Sequence, residues 1–242
     1  YMNPSHWSSI RTHTVEFIVV VLGITVSFAL DGWRQDRIIS ELHLSEIRSL
    51  LEDLEQDRER LSEVFGMIEE GDSNMQRIIG DVMAYRSGAL SYDQLAATLE
   101  DIVPPYQYGT FYMNTSTYKS LVATGRLQLF PEDINRKLRD YYEYVSKRVD
   151  DNNAIVDRIT LAYYNEHHPW VNASTFPGIG LESGTEVTVN PFFIDPDVRR
   201  KYSDITFLNS SLALADRIRI HRGQVIRYNE LRDELAALLH DL

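Results

Sequence analysis

The chain has no cysteine, and that one absence excludes disulfides, zinc–thiolate sites, iron–sulfur clusters and a thiol nucleophile. It leaves the compartment open, because a cysteine-free chain is compatible with reducing and oxidising surroundings alike. Proline and glycine are sparse, 8 and 12 in 242 residues, which excludes collagen-like and low-complexity chains. Bases are in short supply. There are 24 Lys+Arg against 36 Asp+Glu, for a formal net charge of -12. Such a chain lacks the cations that displace counterions from phosphates, so nucleic acid is not an expected partner. The remainder is ordinary for a folded protein: 43% hydrophobic and 25% charged residues argue against disorder. The length suits one domain, or one domain plus an appendage.

Motifs that carry chemistry are missing as well. No Walker A or Gly-x-Ser-x-Gly occurs, and Gly178-Ile179-Gly180 lacks the third glycine and the flanking strand and helix of a dinucleotide site. The seven histidines include no Glu-x-x-His spacing of the kind that builds a di-iron bundle. Glu166-His167-His168 is the one cluster, and helical neighbours point about 100° apart, so two imidazoles there do not converge on one ion. Paired acids such as Glu69-Glu70 and Asp150-Asp151 read as solvated helix faces. No enzymatic activity, cofactor or metal is expected.

What stands out is Thr14 to Trp33. Phe17 to Leu30 carries no charge and is mostly Val, Ile, Leu and Phe. As a helix, roughly 20 residues rise about 30 Å, the thickness of a hydrocarbon core. Trp7 and Trp33 sit beyond its two ends as interfacial anchors. Glu16 and Asp31 fall at headgroup depth. The expectation is a retained transmembrane helix over 14–33 after a short tail, 1–13, with the lipid bilayer as its first partner. A cleaved signal peptide and a buried core helix are the competing readings. Gly23 and Ser27 form a small-xxx-small pair on the face that also holds Glu16, Val20 and Asp31, a place where a second membrane helix can approach closely.

Trp7 to Arg37, with Glu16-Phe17-Ile18-Val19-Val20-Val21-Leu22-Gly23-Ile24 and then Asp31-Gly32-Trp33, resembles an uncharacterised bacterial family of single-span membrane proteins. So do Leu50-Leu51-Glu52-Asp53-Leu54, the Ser116-Thr117-Tyr118-Lys119-Ser120-Leu121 stretch running through Gly125 to Leu129, and Leu138 to Tyr142. Thr124 stands where that family carries Ser, and bases are scarcer before the helix. The resemblance implies N-in, C-out topology and no known activity.

Beyond the anchor, 34–242 reads as an all-α, elongated antiparallel bundle of three long and two short helices. A 4,3 spacing runs through Ile47, Leu51, Leu54, Arg58, Leu61, Phe65, Ile68, Asp72, Met75, Ile79 and Val82, a coiled-coil-like seam. That helix is expected over about 34–87, ending at Ser87-Gly88, with a possible break at Glu70-Gly71-Asp72-Ser73. The second, 131–168, starts at Pro131-Glu132-Asp133 and stops at His168-Pro169. Its seam is Ile134, Leu138, Tyr141, Val145, Arg148, Asn152, Ile155, Ile159 and Ala162. The third, 210–242, follows an Asn209 or Ser210 cap, with Leu231, Leu235, Leu238 and Leu242 as its apolar edge. Short helices are expected near 92–103 and 115–124, and an irregular loop over 169–208.

The aromatic run Tyr106, Tyr108, Phe111 and Tyr112 offers a docking surface, since Tyr combines contact area with a polar tip; the competing reading, favoured by the usual burial of aromatics, is that it closes the end of the bundle. Taken together, these features predict a non-enzymatic, single-span accessory or scaffold subunit. It packs against other subunits of a larger membrane complex of respiratory, photosynthetic, transport or envelope type. A sensory bundle signalling through a partner and a self-assembling coiled-coil homo-oligomer are the alternatives. One strong base, Arg11, precedes the anchor and Arg34, Arg37 and Arg48 follow it, which favours a cytoplasmic bundle. Those bases are interleaved with acids, and long domains translocate largely regardless of charge. With the resemblance, this places the expected bundle on the periplasmic side of a bacterial inner membrane.

Overall fold

The computed structural model describes residues 4–102, 109–175 and 191–242, with side chains described from 17 to 102, 109 to 167 and 192 to 242. It is all-α, and no strand occurs among the described residues. The chain divides into two units, Tyr1–Leu50 and Leu51–Leu242.

Unit one is helix. It belongs to α1 (Pro4–Arg86), which also supplies the first helix of unit two. From Phe17 through Leu42 every side chain is exposed. The most apolar window there has a mean hydropathy of 1.6 and none of it is buried. By length and composition this is one helix able to cross a membrane. Ser27 Oγ donates to Gly23 O at 2.9 Å and Thr25 Oγ1 to Val21 O at 2.8 Å. Both hydroxyls are thereby satisfied inside the helix.

Unit two packs the rest of α1 with α2 (Tyr92–Asp101), α3 (Ser116–Ala123), a 3-10 turn Arg126–Leu129, α4 (Glu132–Arg139), a π turn Asp140–Val145, α5 (Ser146–Thr175), α6 (Pro191–Ile194), α7 (Pro196–Ser203) and α8 (Ile205–His240). α1 does not break at Glu70–Ser73. It stops at Arg86, and Gly88, at φ +80, turns the chain back: Ser87 N–H reaches Met83 O at 3.0 Å and Ala89 N–H reaches Ala84 O at 2.9 Å. α2 opens with a capping box in which Ser91 Oγ accepts from Gln94 N–H and Gln94 Oε1 accepts from Ser91 N–H.

Each long helix buries a stripe shifted by one residue at several positions from the apolar one. On α1 the buried stripe runs through Ile47, Leu50, Leu54, Asp57, Leu61, Val64, Ile68, Gly71, Met75, Ile78 and Val82, with Glu46 and Asp53 buried beside it. Alternate members thus fall one residue earlier than expected, and Arg58 is left outside. A 3,4 rhythm and a 4,3 rhythm share every second position, and the polar core residue Asp57 hides the true one. On the second helix the expected stripe holds through Ile134, Leu138, Tyr141 and Val145, then slips to Val149, Val156, Thr160 and Tyr163. The π turn lies across this point; an extra residue in the turn advances the helix face by about 100°. Arg148, Ile155 and Ile159 therefore leave the core stripe. On α8 the stripe passes through Tyr228, Arg232, Leu235 and Leu239; Leu231 and Leu238 are half-buried and Leu242 is exposed.

Two boundaries also differ. Asp204, not Asn209 or Ser210, caps α8, its carboxylate accepting from Thr206 N–H at 2.8 Å. The segment expected to be irregular over 169–208 contains α7, which begins Asp195-Pro196-Asp197. The Asp195 carboxylate accepts from Asp197 N–H at 2.7 Å, with Pro196 at the first helical position. α5 continues to Thr175, but His167 leaves helical geometry (φ -109, ψ 15), two residues before Pro169.

Candidate functional site

The segment from Gly109 to Thr115 enters the interior of unit two without helical or strand structure. Its backbone groups therefore need partners from side chains; three buried polar residues, His221, Asn153 and Asp57, and the exposed Arg60 supply them. His221 on α8 donates from Nε2 to Gly109 O at 2.6 Å, and its Nδ1 accepts from Asn152 Nδ2 at 2.7 Å. Those two bonds fix the neutral tautomer with the proton on Nε2. Burial holds the His221 pKa below the ordinary imidazole range, although the Gly109 carbonyl opposes it. Asn153 Nδ2 donates to Phe111 O at 2.5 Å. From α1, Arg60 Nη1 reaches Tyr112 O at 3.3 Å, and Asp57 Oδ1 accepts from Asn114 N–H at 2.8 Å. Gly109 passes close to α1: a Cβ there would meet Val64 O at 3.4 Å and Met67 Cβ at 3.5 Å.

The far end of the connector is tied by Asp53. α3 begins after Thr115, whose own side chain makes no cap bond. Asp53 reaches across from α1 instead, taking Thr117 N–H at 3.0 Å, Asn114 Nδ2 at 2.9 Å and Ser116 Oγ at 3.3 Å. It thus serves as an N-cap borrowed from another helix, with the charge favoured at a helix start. Tyr118, one residue on, stacks on Tyr142 with ring centroids 4.8 Å apart and donates its hydroxyl to Glu143 at 2.5 Å. The stretches around Asp53, Ser116–Leu121 and Leu138–Tyr142, which are distant in the sequence, meet here.

Asp57 is the strained member of this group. It is 0% exposed, and its second oxygen has no hydrogen-bond partner. Burial pushes its pKa up to about 6, with the Asn114 N–H and Arg60 pulling it down and Asp53 pushing it up. Tyr141 and Tyr142 face it with buried hydroxyls, Tyr141 also helping to pull the carboxyl down, and burial, then the Asp57 charge, raises both phenols. Arg232 completes the surround, 4% exposed, with Nη1 toward Leu54 O at 3.4 Å and Nη2 on Asp233. Burial holds its guanidinium below the ordinary range.

A second interior group surrounds His167, 1% exposed, whose ring nitrogens have no hydrogen-bond partner. Tyr163 and Phe207 pack edge-on to it at 4.6 and 4.8 Å. Desolvation, its main cause, lowers its pKa to about 4, so the ring is neutral. Among the described residues no three His, Asp or Glu side chains converge as a metal site.

The residues singled out in the sequence are distributed differently from this core. Gly23, Ser27 and Trp33 are exposed on unit one, and open space surrounds the position a Gly23 Cβ would take. Trp7 falls where only the backbone is described, and Tyr106 and Tyr108 lie outside the described residues. Phe111, expected on a docking surface, is core instead: it is 1% exposed, its own carbonyl held by Asn153 and that of Gly109, two residues before it, by His221. Tyr112 beside it is exposed. Sequence reasoning missed Asp53, Asp57, Asn153, His221 and Arg232, since a search for apolar seams skips polar core positions; Asn152, placed on the second seam in the sequence, is buried. For all the missed residues but Asp53 the signal available was the unbroken 3,4 rhythm continued through them. The chain matches no protein-family model, no curated protein and no solved structure.

Proposed function

We propose that this protein is a non-enzymatic, single-span accessory subunit of a bacterial inner-membrane assembly, with its bundle on the periplasmic side. The observation that carries the reading is unit one: an apolar helix exposed on every side from Phe17 to Leu30. Exposed apolar surface on that scale calls for lipid or another protein. Gly23 and Ser27 provide its point of close helix approach. Unit two supports the same reading from the other direction. Its buried polar side chains hold a connector in place, which is the work of a rigid scaffold.

Periplasmic placement rests on the interleaving of acids with the bases that follow the anchor and on the sequence resemblance. Protease added to intact spheroplasts tests it: the bundle should be digested, and a bundle that survives until the inner membrane is permeabilised contradicts the assignment. Native mass spectrometry after mild detergent extraction tests the subunit role. Co-migration with other membrane proteins is expected, and a strictly monomeric, partner-free protein contradicts it.

A further inference from the structure

We propose that the groove between α5 and α8 docks an acidic segment of a partner protein through Arg148 and Arg217. This deepens the accessory-subunit reading and rests on it.

The groove consists of two adjoining clefts of 640 and 370 Å³ that share Arg148 and Gln224. Tyr144 and Tyr228 line one end, Ile155 and Ile220 the other. The span from Tyr144 to Ile155 along the helix is about 16 Å at 1.5 Å per residue. That is about three turns of a docked helix, and too long for one small anion. The lining follows from the π turn, which moves Arg148 and Ile155 out of the core stripe and onto this face.

Charge identifies the occupant. In this acid-rich chain many cations of unit two are already matched: Arg58 with Glu55, Arg77 with Asp101, Lys147 with Asp151, Arg219 with Asp216, Arg222 with Glu69 and Arg227 with Glu230. Arg148 and Arg217 make no carboxylate ion pair among the described residues. Neutral groups hold them instead. Arg148 lies 5.9 Å from the Tyr144 ring centroid, with Nη1 3.3 Å from its hydroxyl. Arg217 Nη2 donates to Asn152 Oδ1 at 2.5 Å, and its Nε has no partner. Asn152 is itself fixed by His221, so Arg217 is positioned before anything binds. Two guanidiniums oriented in this way, with ring and aliphatic surface at either end, suit a segment carrying carboxylates beside apolar side chains. Asp140 and Asp151 also line the groove, Asp151 already bonded to Lys147. A second copy of the chain is a poor occupant, because two bodies of net charge -12 repel.

A photo-crosslinking amino acid at Gln224, in the full-length protein in its own membrane, tests the proposal. The expected result is an adduct to another protein, with the cross-linked peptide, sequenced by mass spectrometry, containing at least two Asp or Glu (about one per guanidinium). Arg148→Glu with Arg217→Glu should abolish it, and Arg148→Gln with Arg217→Gln should weaken it, with the helical circular dichroism retained in both. An adduct to a second copy, to a segment without acids, or one indifferent to both double variants overturns the proposal. The same probe at Gly23 separates the two readings. Adducts there with none at Gln224 overturn the groove alone, and no adduct at either position overturns the accessory-subunit reading with it.

Discussion

Two stretches of one helix obey opposite rules. From Phe17 to Leu42, α1 exposes Val, Leu and Phe as freely as Arg and Asp; from Ile47 to Val82 it buries a stripe at every third or fourth residue and leaves most of the others exposed or half-buried. The second stretch is amphipathic, so its partner is the protein's own core. Over Phe17 to Leu30 the first is apolar all round, so in our account its partner is the solvent itself, lipid. The contrast also extends to polar groups. Ser27 and Thr25 satisfy themselves within the helix, whereas Asp53 and Asp57 reach out to another segment. One stretch satisfies its own polar groups, and the other is specified by its neighbours in the chain.

Arginine substitution breaks both stretches, for different reasons. Leu61→Arg places an unpaired charge at a position 1% exposed, at a cost of several kcal/mol, and should abolish cooperative urea unfolding of the bundle. Ile24→Arg, at an exposed position, should cost about 3 kcal/mol against membrane insertion. It should shift the protein toward the soluble fraction on alkaline carbonate extraction while leaving the bundle's unfolding unchanged. Without lipid around Ile24, that second variant would be silent.

Asp53→Ala sharpens the polar side of the comparison. It removes the borrowed cap of α3 and should cost about 1–2 kcal/mol. Hydrogen exchange should speed up at Asn114–Tyr118 and stay unchanged along α8. Ser27→Ala, which removes a bond internal to one helix, should leave bundle stability unaltered.

The smallest effects are on pH dependence, and two buried groups act with opposite signs in overlapping windows. His167 is lowered to about 4 from 6.5, so the unfolded chain takes up its proton first. Stability is full above pH 6.5 and is lost as pH falls toward 4. Asp57 is raised from 3.8 to about 6, so the folded state holds its proton more tightly. Stability therefore falls as pH rises from about 4 to about 6, and Asp57 offsets part of the histidine loss on acidification. His167→Phe should flatten the acid limb of a stability–pH profile, and Asp57→Asn should steepen it. The opposite order would contradict the assignment of these two groups.

The helical class, the cap residues Ser91 and Pro131-Glu132-Asp133, the Gly88 stop and the apolar stretch in unit one were legible in the sequence because each is a local signal. Core registry was not. Asp57, His221 and Arg232 occupy positions that hydrophobic patterning assigns to apolar residues, so the apparent stripe settled on Arg58 and Leu231 instead. The π turn at Asp140–Val145 has no residue signature of its own and shifts everything after it. The clamp on Gly109–Thr115 was legible only in pieces, because its members come from α1, α5 and α8 and meet through pairings far apart in the chain. Phe111 illustrates the point: its aromatic neighbourhood suggested a surface, yet it is core, with its carbonyl bonded to the distant Asn153.

The absence of native cysteine makes the central contrast directly measurable. Single cysteines introduced one at a time from Phe17 to Leu42 in the membrane-embedded protein can be treated with a water-soluble maleimide and compared with the same proteins after detergent solubilisation. The account predicts protection from Phe17 to Leu30 without helical periodicity, then labelling at every position from Asp36 onward. Uniform labelling, or protection recurring every three to four residues, would contradict a lipid-embedded helix and place that stretch against protein instead.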